Sequence, residues 1–459
     1  MSDVVRLGHV AEAVSGVGFP KELQGQTEGE VPVFKVGDIS NALKNGTRHL
    51  RRSPNHLSAE AARGLVKNLM PAGTTVFAKI GEGLKLNRRA ILAQPSLVDN
   101  NVMGLIPKAS TVMPDYLFYF MQTVDLGELS QATAIPSVRK SDVVDVPFPL
   151  RSLDEQTRVV AEIEKQFSRL DEAIAGLKRV KANFKRYKAS ILKSAVEGRL
   201  VPTEADLARR EGRNYETGVQ LLQRILETRR SQWQGKGKYN APVALDETDL
   251  HELPQGWIWS NCDAGITKID AGASFKCTER APTDGETGVL KVSAVSWGVF
   301  DEAESKTCDD PERVEASYLV QPGDFLFSRA NTIDLVGACV IVGQITKRLM
   351  LSDKTLRFKI SECMLPGWLL ICLRSKFGRN EIERLATGNQ ESMRNIGQER
   401  IRQIRIPLPP LAEQHGLVAE VDRLLSIARE AEAEVETNLK RAQSLRQAIL
   451  SKSFQANTD

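Results

Sequence analysis

The chain lacks any apolar run near the eighteen or more residues of a membrane-spanning helix. Its start, Met1-Ser2-Asp3-Val4-Val5-Arg6, lacks the basic-then-apolar layout of a secretory signal, so a cytoplasmic protein is expected. Cysteine is absent from the first half: all six (Cys262, Cys277, Cys308, Cys339, Cys363, Cys372) fall in the second, none at zinc-knuckle spacing, which predicts buried reduced thiols. The five histidines (His9, His49, His56, His251, His415) are scattered without metal spacing. No Gly-x4-Gly-Lys-Ser/Thr phosphate loop occurs, and Gly16-Val17-Gly18 and Gly81-Glu82-Gly83 lack the third glycine of a dinucleotide fingerprint. Leu411 follows Pro409-Pro410, so the Asn/Asp-Pro-Pro-aromatic motif of amino-group methyl transfer is missing. The acid pair Asp309-Asp310 has the composition of a solvated loop as much as of a metal site. No catalytic residue, metal site or cofactor site is therefore assigned, and the chain is read as a non-enzyme. A net charge of +4 neither demands nor excludes a polyanionic partner.

What the sequence does contain is a repeat. At 459 residues, 41% apolar and 26% charged, the chain is long enough for two or three domains with full cores. At an offset of 258, Leu153-Asp154-Glu155-Gln156 falls on Leu411-Ala412-Glu413-Gln414, and Ile191-Leu192 falls on Ile449-Leu450. Each copy follows a proline punctuation, Pro147-Phe148-Pro149 or Pro407-Leu408-Pro409-Pro410, and then runs for about forty residues without proline, the mark of a long helix. In the first copy a three-and-four spacing selects Val160, Ile163, Phe167, Leu170, Ile174, Leu177, Lys181, Phe184, Lys188, Ile191 and Ala195, a coiled-coil seam. The second keeps apolar residues at Val421, Ala428, Val435, Ala442 and Ile449.

Charge predicts the direction of pairing. The tail of the first helix is basic (Lys178, Arg179, Lys181, Lys185, Arg186, Lys188) and the head of the second is acidic (Glu430, Glu432, Glu434, Glu436). The acidic head of the first (Glu162, Glu164, Asp171, Glu172) would meet Lys440, Arg441, Arg446 and Lys452 in an antiparallel pair, whereas a parallel pair would oppose like charges. Exposed ion pairs are worth only about 0.5 kcal/mol each, so they set direction while the apolar seam supplies stability.

Before each helix lies a stretch with strand-like pieces: Val31–Val36, Thr74–Ile80 and Asn101–Ile106, then Gly288–Val292, Phe325–Ser328 and Gly337–Ile345. The two stretches correspond in order. Phe34-Lys35-Val36 answers Leu290-Lys291-Val292, Phe77-Ala78-Lys79 answers Phe327-Ser328-Arg329, Tyr116 answers Trp368, and Ser137-Val138-Arg139 answers Ser392-Met393-Arg394. The predicted class is α+β, with two β-rich recognition domains (1–150 and 254–410), two long antiparallel helical arms (151–198 and 411–459) forming a coiled coil, and an internal pseudo-twofold repeat. A connector at 199–253 carries an amphipathic helix around Val219, Leu221, Leu222, Ile225 and Leu226.

Binding remains, and basic clusters outside the helices are where phosphate contacts are sought: Arg51-Arg52, Lys85 with Arg88-Arg89, Arg139-Lys140 and Lys347-Arg348. Two places recur in both halves. The strands ending in Lys79 and Arg329 lead into loops carrying Lys85, Asn87, Arg88 and Arg89, or Asn331 and Thr332. Just before each arm, Thr133 to Lys140 and Gly388 to Arg394 are polar loops able to read bases, with Arg139, Lys140, Asn389, Gln390 and Arg394 as candidates. Turn formation and helix capping explain the Asn, Ser and Thr residues there equally well.

The phrase Ile406-Pro407-Leu408-Pro409-Pro410-Leu411-Ala412-Glu413-Gln414, the run Ser190-Ile191-Leu192-Lys193 to Gly198-Arg199-Leu200-Val201-Pro202, and Leu253-Pro254-Gln255-Gly256-Trp257 give the chain its family likeness. Over essentially its whole length it resembles the specificity subunit of a type I restriction-modification enzyme. The first copy departs from the pattern at Pro149-Leu150-Arg151-Ser152-Leu153, with two extra residues at the junction. The resemblance implies that each recognition domain reads one half of a bipartite site on double-stranded DNA, with the arms holding the halves apart. It also implies two methyltransferase subunits and restriction subunits as partners, with S-adenosylmethionine, ATP and Mg on those subunits. Two other classes stay open: a self-sufficient DNA-modifying enzyme, which would need a cofactor pocket, and a coiled-coil scaffold that does not bind DNA.

Overall fold

The computed structural model describes residues 3–130, 136–233, 239, 241–390 and 393–455. The chain forms two units: residues 1–179 with 435–459, and residues 180–434. Two 44-residue helices, Leu153–Val196 and Leu411–Phe454, each contribute to both.

These helices begin and end where local chemistry requires. Ser152 and Glu155 cap each other, the Glu155 backbone N–H donating to the Ser152 hydroxyl (3.3 Å) and the Ser152 N–H to the Glu155 carboxylate (3.0 Å). At the far end Gly198 takes φ +65°, a left-handed turn that glycine adopts without a Cβ clash, and Arg199 N–H returns to the Ser194 carbonyl (2.8 Å).

In the first unit a five-stranded sheet has the order Ala11–Ser15, Val102–Pro107, Thr75–Ala78, Arg89–Leu92, His49–Leu50. A three-stranded sheet has the order His56–Leu57, Val31–Phe34, Leu97–Val98, and Asp3–Arg6 pairs antiparallel with Pro147–Leu150. The predicted strand Val31–Val36 stops at Phe34, because Asp38 accepts the Lys35 N–H (2.7 Å) and starts a helix, Val36–Lys44. The apolar core gathers Tyr116, Phe120, Phe148, Ile163 and Phe167 with Leu450 and Phe454 from the far end of the chain. Tyr116 packs on Phe454 with ring centroids 5.0 Å apart. Arg446 pairs with Asp171 (2.8 Å) and lies over the Phe167 ring (4.2 Å).

The second unit repeats the plan. Ile266–Ala271, Thr355–Ile360, Phe325–Ser328 and Cys339–Ile341 follow the strand order seen at Ala11–Ser15, Val102–Pro107, Thr75–Ala78 and Arg89–Leu92. The parallel pair Thr287–Leu290 with Arg348–Met350 answers Val31–Phe34 with Leu97–Val98, and Ile258–Asn261 with Arg405–Leu408 answers Asp3–Arg6 with Pro147–Leu150. Arm residues Ile191, Ala195, Leu417 and Val421 enter its core, and Lys188 meets Glu432 at 2.6 Å. In the first unit Arg151, just before the first helix, donates to the Gln455 carbonyl (3.3 Å) while Asp171 meets Arg446, so partners on the second helix fall as positions on the first rise and the helices run antiparallel there, as the charges predict.

The connector folds as two helices, Glu204–Glu211 and Gly218–Ser231. The second buries Leu221 and Ile225 in the same core, while the first, too short to show periodicity, has no counterpart in the sequence reading. Four of the six cysteines are buried as expected; Cys277 and Cys308 are half-exposed, a departure from that expectation.

Candidate nucleic-acid interface

Two buried contacts, made once in each unit, tie a β-rich region to a long helix. The fully buried Gln156 side chain accepts the Met113 N–H (2.8 Å) and donates to the Thr111 and Arg151 carbonyls (2.9 and 2.8 Å). Gln414, equally buried, accepts the Leu365 N–H (3.0 Å) and donates to the Pro409 carbonyl (3.1 Å). Met113 and Leu365 are the N-caps of helices Pro114–Met121 and Pro366–Arg374, so each glutamine satisfies a helix-start N–H. Tyr116 donates its hydroxyl to the Pro149 carbonyl and Trp368 its indole N–H to the Pro407 carbonyl, both at 2.9 Å. Glu413 is used asymmetrically: it is buried and accepts the Trp257 indole N–H and the Glu204 N–H (both 2.9 Å), joining connector and arm, whereas its counterpart Glu155 is exposed at a helix cap.

In each half the two sequence-predicted loops meet through backbone bonds of their own. In the first unit, strand Thr75–Ala78 ends at Lys79, whose N–H donates to the Asn101 carbonyl (2.9 Å) and whose carbonyl accepts the Val138 N–H (2.9 Å). Ile80 bridges to Ser137, and Gly81 N–H reaches the Pro136 carbonyl (2.8 Å). In the second unit, Arg329 donates its N–H to the Lys354 carbonyl (3.0 Å) and accepts the Ile396 N–H (2.9 Å), while Ala330–Asn331 pairs with Met393–Asn395. Lys79 and Arg329 are therefore the same position in the two copies.

The first junction is cationic. Partial burial and the neighbouring Lys140 charge hold the Lys79 ammonium below its usual pKa, with Asp99 opposing them. Arg139 and Lys140 are exposed at the start of helix Lys140–Val144, where the Arg139 N–H is capped by Asp142 (3.3 Å). Two cations crowded together are relieved by an anion, which is what a phosphate supplies. At the second junction Arg329 Nε lies 3.4 Å from the Asn395 amide oxygen, and Arg394 donates to the Gly388 carbonyl (2.7 Å). Asn331 accepts the Thr332 N–H (2.8 Å), so its carbonyl already serves the turn. Gly388 has φ +122°, and a Cβ there would sit 2.5 Å from the Met393 carbonyl, so the ribbon closes only on glycine. Asn389 and Gln390 belong to strand Thr387–Gln390; their side chains, and residues 133–135, 391 and 392 of the predicted loops, lie outside the described residues.

One predicted contact is corrected. Arg89 is 1% exposed and donates to the Asn87 carbonyl (2.6 Å) and to the Val124 carbonyl, with burial drawing its pKa down to about 10. It opens strand Arg89–Leu92, all four of whose residues are buried. Asn87, at φ +49°, is likewise consumed, donating to Asp125 (2.7 Å) and accepting the Leu126 N–H (2.9 Å). Lys85 is exposed but paired with Glu82 (2.8 Å), and Arg88 is half-buried. The sequence reading missed Lys354, exposed beside the Arg329 backbone, and Lys35, whose charge is felt at Asp99; only the repeat alignment could have pointed to Lys354. The Asp309-Asp310 pair serves structure: Asp309 accepts the Thr278 hydroxyl (3.1 Å) and Asp310 the Lys276 N–H (2.9 Å). Among the described residues no group of acidic, His and Cys side chains could hold a metal, and no helix is long and apolar enough to cross a membrane.

No family model matches the chain. It is 30% identical over 299 residues to the type I restriction enzyme EcoEI specificity subunit of Escherichia coli, covering 63% of this chain and 49% of that protein. Against the EcoKI specificity subunit of Escherichia coli strain K12 it is 21% identical over 458 residues, 97% of this chain and 86% of the relative. The fold matches the HsdS subunit from Thermoanaerobacter tengcongensis with a TM-score of 0.54 at 18% identity, covering 99% of this chain and 97% of that one. The chain is thus similar over nearly its whole length to type I restriction enzyme specificity subunits. The fold also matches, at a TM-score of 0.61 and 17% identity, a chain from a structure on complex assembly and conformational transition of the type I R-M system, with 99% of this chain and 98% of that one covered. The chain spans about half the length of its EcoEI relative, at 49%, and most of its EcoKI relative, at 86%.

Proposed function

We propose that this chain is the non-catalytic, DNA-reading subunit of a type I restriction-modification complex, each domain contacting one half of a bipartite duplex site. The observation that carries the reading is the equivalence of Lys79 and Arg329. In two domains whose loops have diverged, a basic side chain stands at the same strand end, joined by the same backbone bonds to the loop that precedes the arm. Conserved plan with changed surface is what two readers of different sequences on one scaffold require. Lys79, Lys85, Arg88, Arg139, Lys140, Arg329, Asn331, Asn389, Gln390 and Arg394 remain the proposed contacts, joined by Lys354.

Methyltransferase and restriction subunits, docking on the arms and connector, would bring S-adenosylmethionine, ATP and Mg, and the complex would act in the cytoplasm. Each 44-residue helix runs about 66 Å at 1.5 Å per residue, so the gap between half-sites is a property of the arms. The test is to map methylated sites made by the chain with its methyltransferase partner, before and after removing one heptad from each arm. The same half-sites at a changed gap are expected; methylation that ignores sequence, or an unaltered gap, would refute the reading. Methyl transfer by the purified chain alone would instead favour a self-sufficient enzyme.

A further inference from the structure

Cys277 and Cys308 face each other across a strand pair. Cys277–Thr278 and Ser305–Cys308 are antiparallel, with Cys277 directly opposite Cys308. The Asp309 N–H donates to the Lys276 carbonyl (2.9 Å), a bond that flanks the two cysteines and makes theirs a non-hydrogen-bonded position. At such positions Cα atoms lie about 4.5 Å apart with side chains on one face. A disulfide accepts Cα separations of about 4.4–6.8 Å, so this pairing is compatible with a bridge once the thiols turn from the Phe275 and Asp310 carbonyls they now face. Both residues are half-exposed, whereas Cys262, Cys339, Cys363 and Cys372 are buried. The strands are also held in register on either side, by Asp310 accepting the Lys276 N–H and by Asp309 accepting the Thr278 hydroxyl.

We propose that Cys277 and Cys308 are an oxidation site, joined into an intramolecular disulfide by exchange with a small-molecule disulfide such as oxidised glutathione. One thiol loses its proton and attacks a sulfur of the reagent, breaking its S–S bond and releasing one small thiol. The facing cysteine, deprotonated in turn, attacks the protein sulfur of the mixed disulfide and expels the second small thiol. Two protein thiols thus lose two protons and two electrons, which leave as two molecules of small thiol. The product staples an edge strand of the second unit's sheet to its neighbour, and its formation does not depend on DNA reading.

The full chain is incubated with oxidised glutathione and its intact mass, peptide map and melting temperature are recorded, with Cys277→Ser and Cys308→Ser alongside. The expected result is a loss of two hydrogens, a peptide pair joining Cys277 to Cys308, and a melting temperature that rises on oxidation and returns with a dithiol reductant. Each serine variant should instead keep one glutathione adduct on the remaining cysteine and show no such rise. A stable adduct on the unmutated chain, an unchanged mass, a bridge between any other pair, or a two-hydrogen loss that survives in both variants would overturn the proposal.

Discussion

The Gln156 side-chain oxygen accepts the backbone N–H of Met113 at 2.8 Å, and Gln414 does the same for Leu365 at 3.0 Å, so one residue of the repeated phrase docks an arm against a domain twice. Both glutamines are fully buried. Replacing either by leucine leaves a buried helix-start N–H and its neighbouring carbonyls without partners, at about 1–3 kcal/mol per orphaned group. Denaturant midpoints should fall for Gln156→Leu and Gln414→Leu alike. A variant as stable as the parent would show that water takes over the glutamine's bonds.

Lys79 and Arg89 lie close in sequence but should behave differently. Lys79→Ala, and equally Arg329→Ala, should weaken DNA binding and reduce the slope of log affinity against log salt by about 1, with little change in melting. Arg89→Ala should leave the salt slope alone and lower the melting temperature, because it removes a buried guanidinium that holds the Asn87 and Val124 carbonyls. Titrations at several salt concentrations, paired with thermal melts, separate the two roles.

The cross-helix pairs Lys188 with Glu432 and Asp171 with Arg446 are partly solvated, so each should contribute only about 0.5 kcal/mol. Reversing one charge, as in Lys188→Glu, should cost about that much or slightly more, and the compensating Glu432→Lys should recover most of it. A double-mutant cycle with no coupling would remove these pairs from the forces that set helix direction.

Glu381 provides an acid-sensitive point in the second unit. Burial alone would raise its carboxyl pKa, but the Arg405 and Arg384 guanidiniums outweigh burial and hold it below the ordinary value of 4.5. A carboxylate depressed in the folded state stabilises fully above its unfolded pKa, and that stability drains away as pH falls through the folded value. Stability should therefore decline below about pH 4.5, and Glu381→Gln, costing roughly 3 kcal/mol at neutral pH, should flatten the decline. Melts across pH 3–7 check both signs.

Much of this architecture was legible because its signals are periodic or repeated. Leu170, Leu177 and Ile191 announce a helix by spacing, and Lys188 with Glu432 its partner's direction by sign. The equivalence of Lys79 and Arg329 could be read from Phe77-Ala78 and Phe327-Ser328, since strand ends keep register when loops do not. Single residues were harder. Arg88-Arg89 reads as one basic doublet, yet a strand buried on both faces begins at Arg89 and takes only the second guanidinium inside, which the sequence alone does not mark. Val36 reads as strand by its branching, but a capping carboxylate two residues on starts a helix instead. Gln156 and Gln414 were visible as letters in a phrase; their role needs Met113 and Leu365, some forty to fifty residues away, which no local pattern reveals.

Because Leu450 and Phe454 complete the core around Tyr116, the unit that holds residues 1–179 lacks part of its interior until residues 450–454 have been synthesised. The other unit, residues 180–434, is complete in sequence before that helix ends. On the ribosome the order of maturation is thus reversed relative to the order of translation, and loss of the last turns of helix Leu411–Phe454 would destabilise the unit of residues 1–179 first.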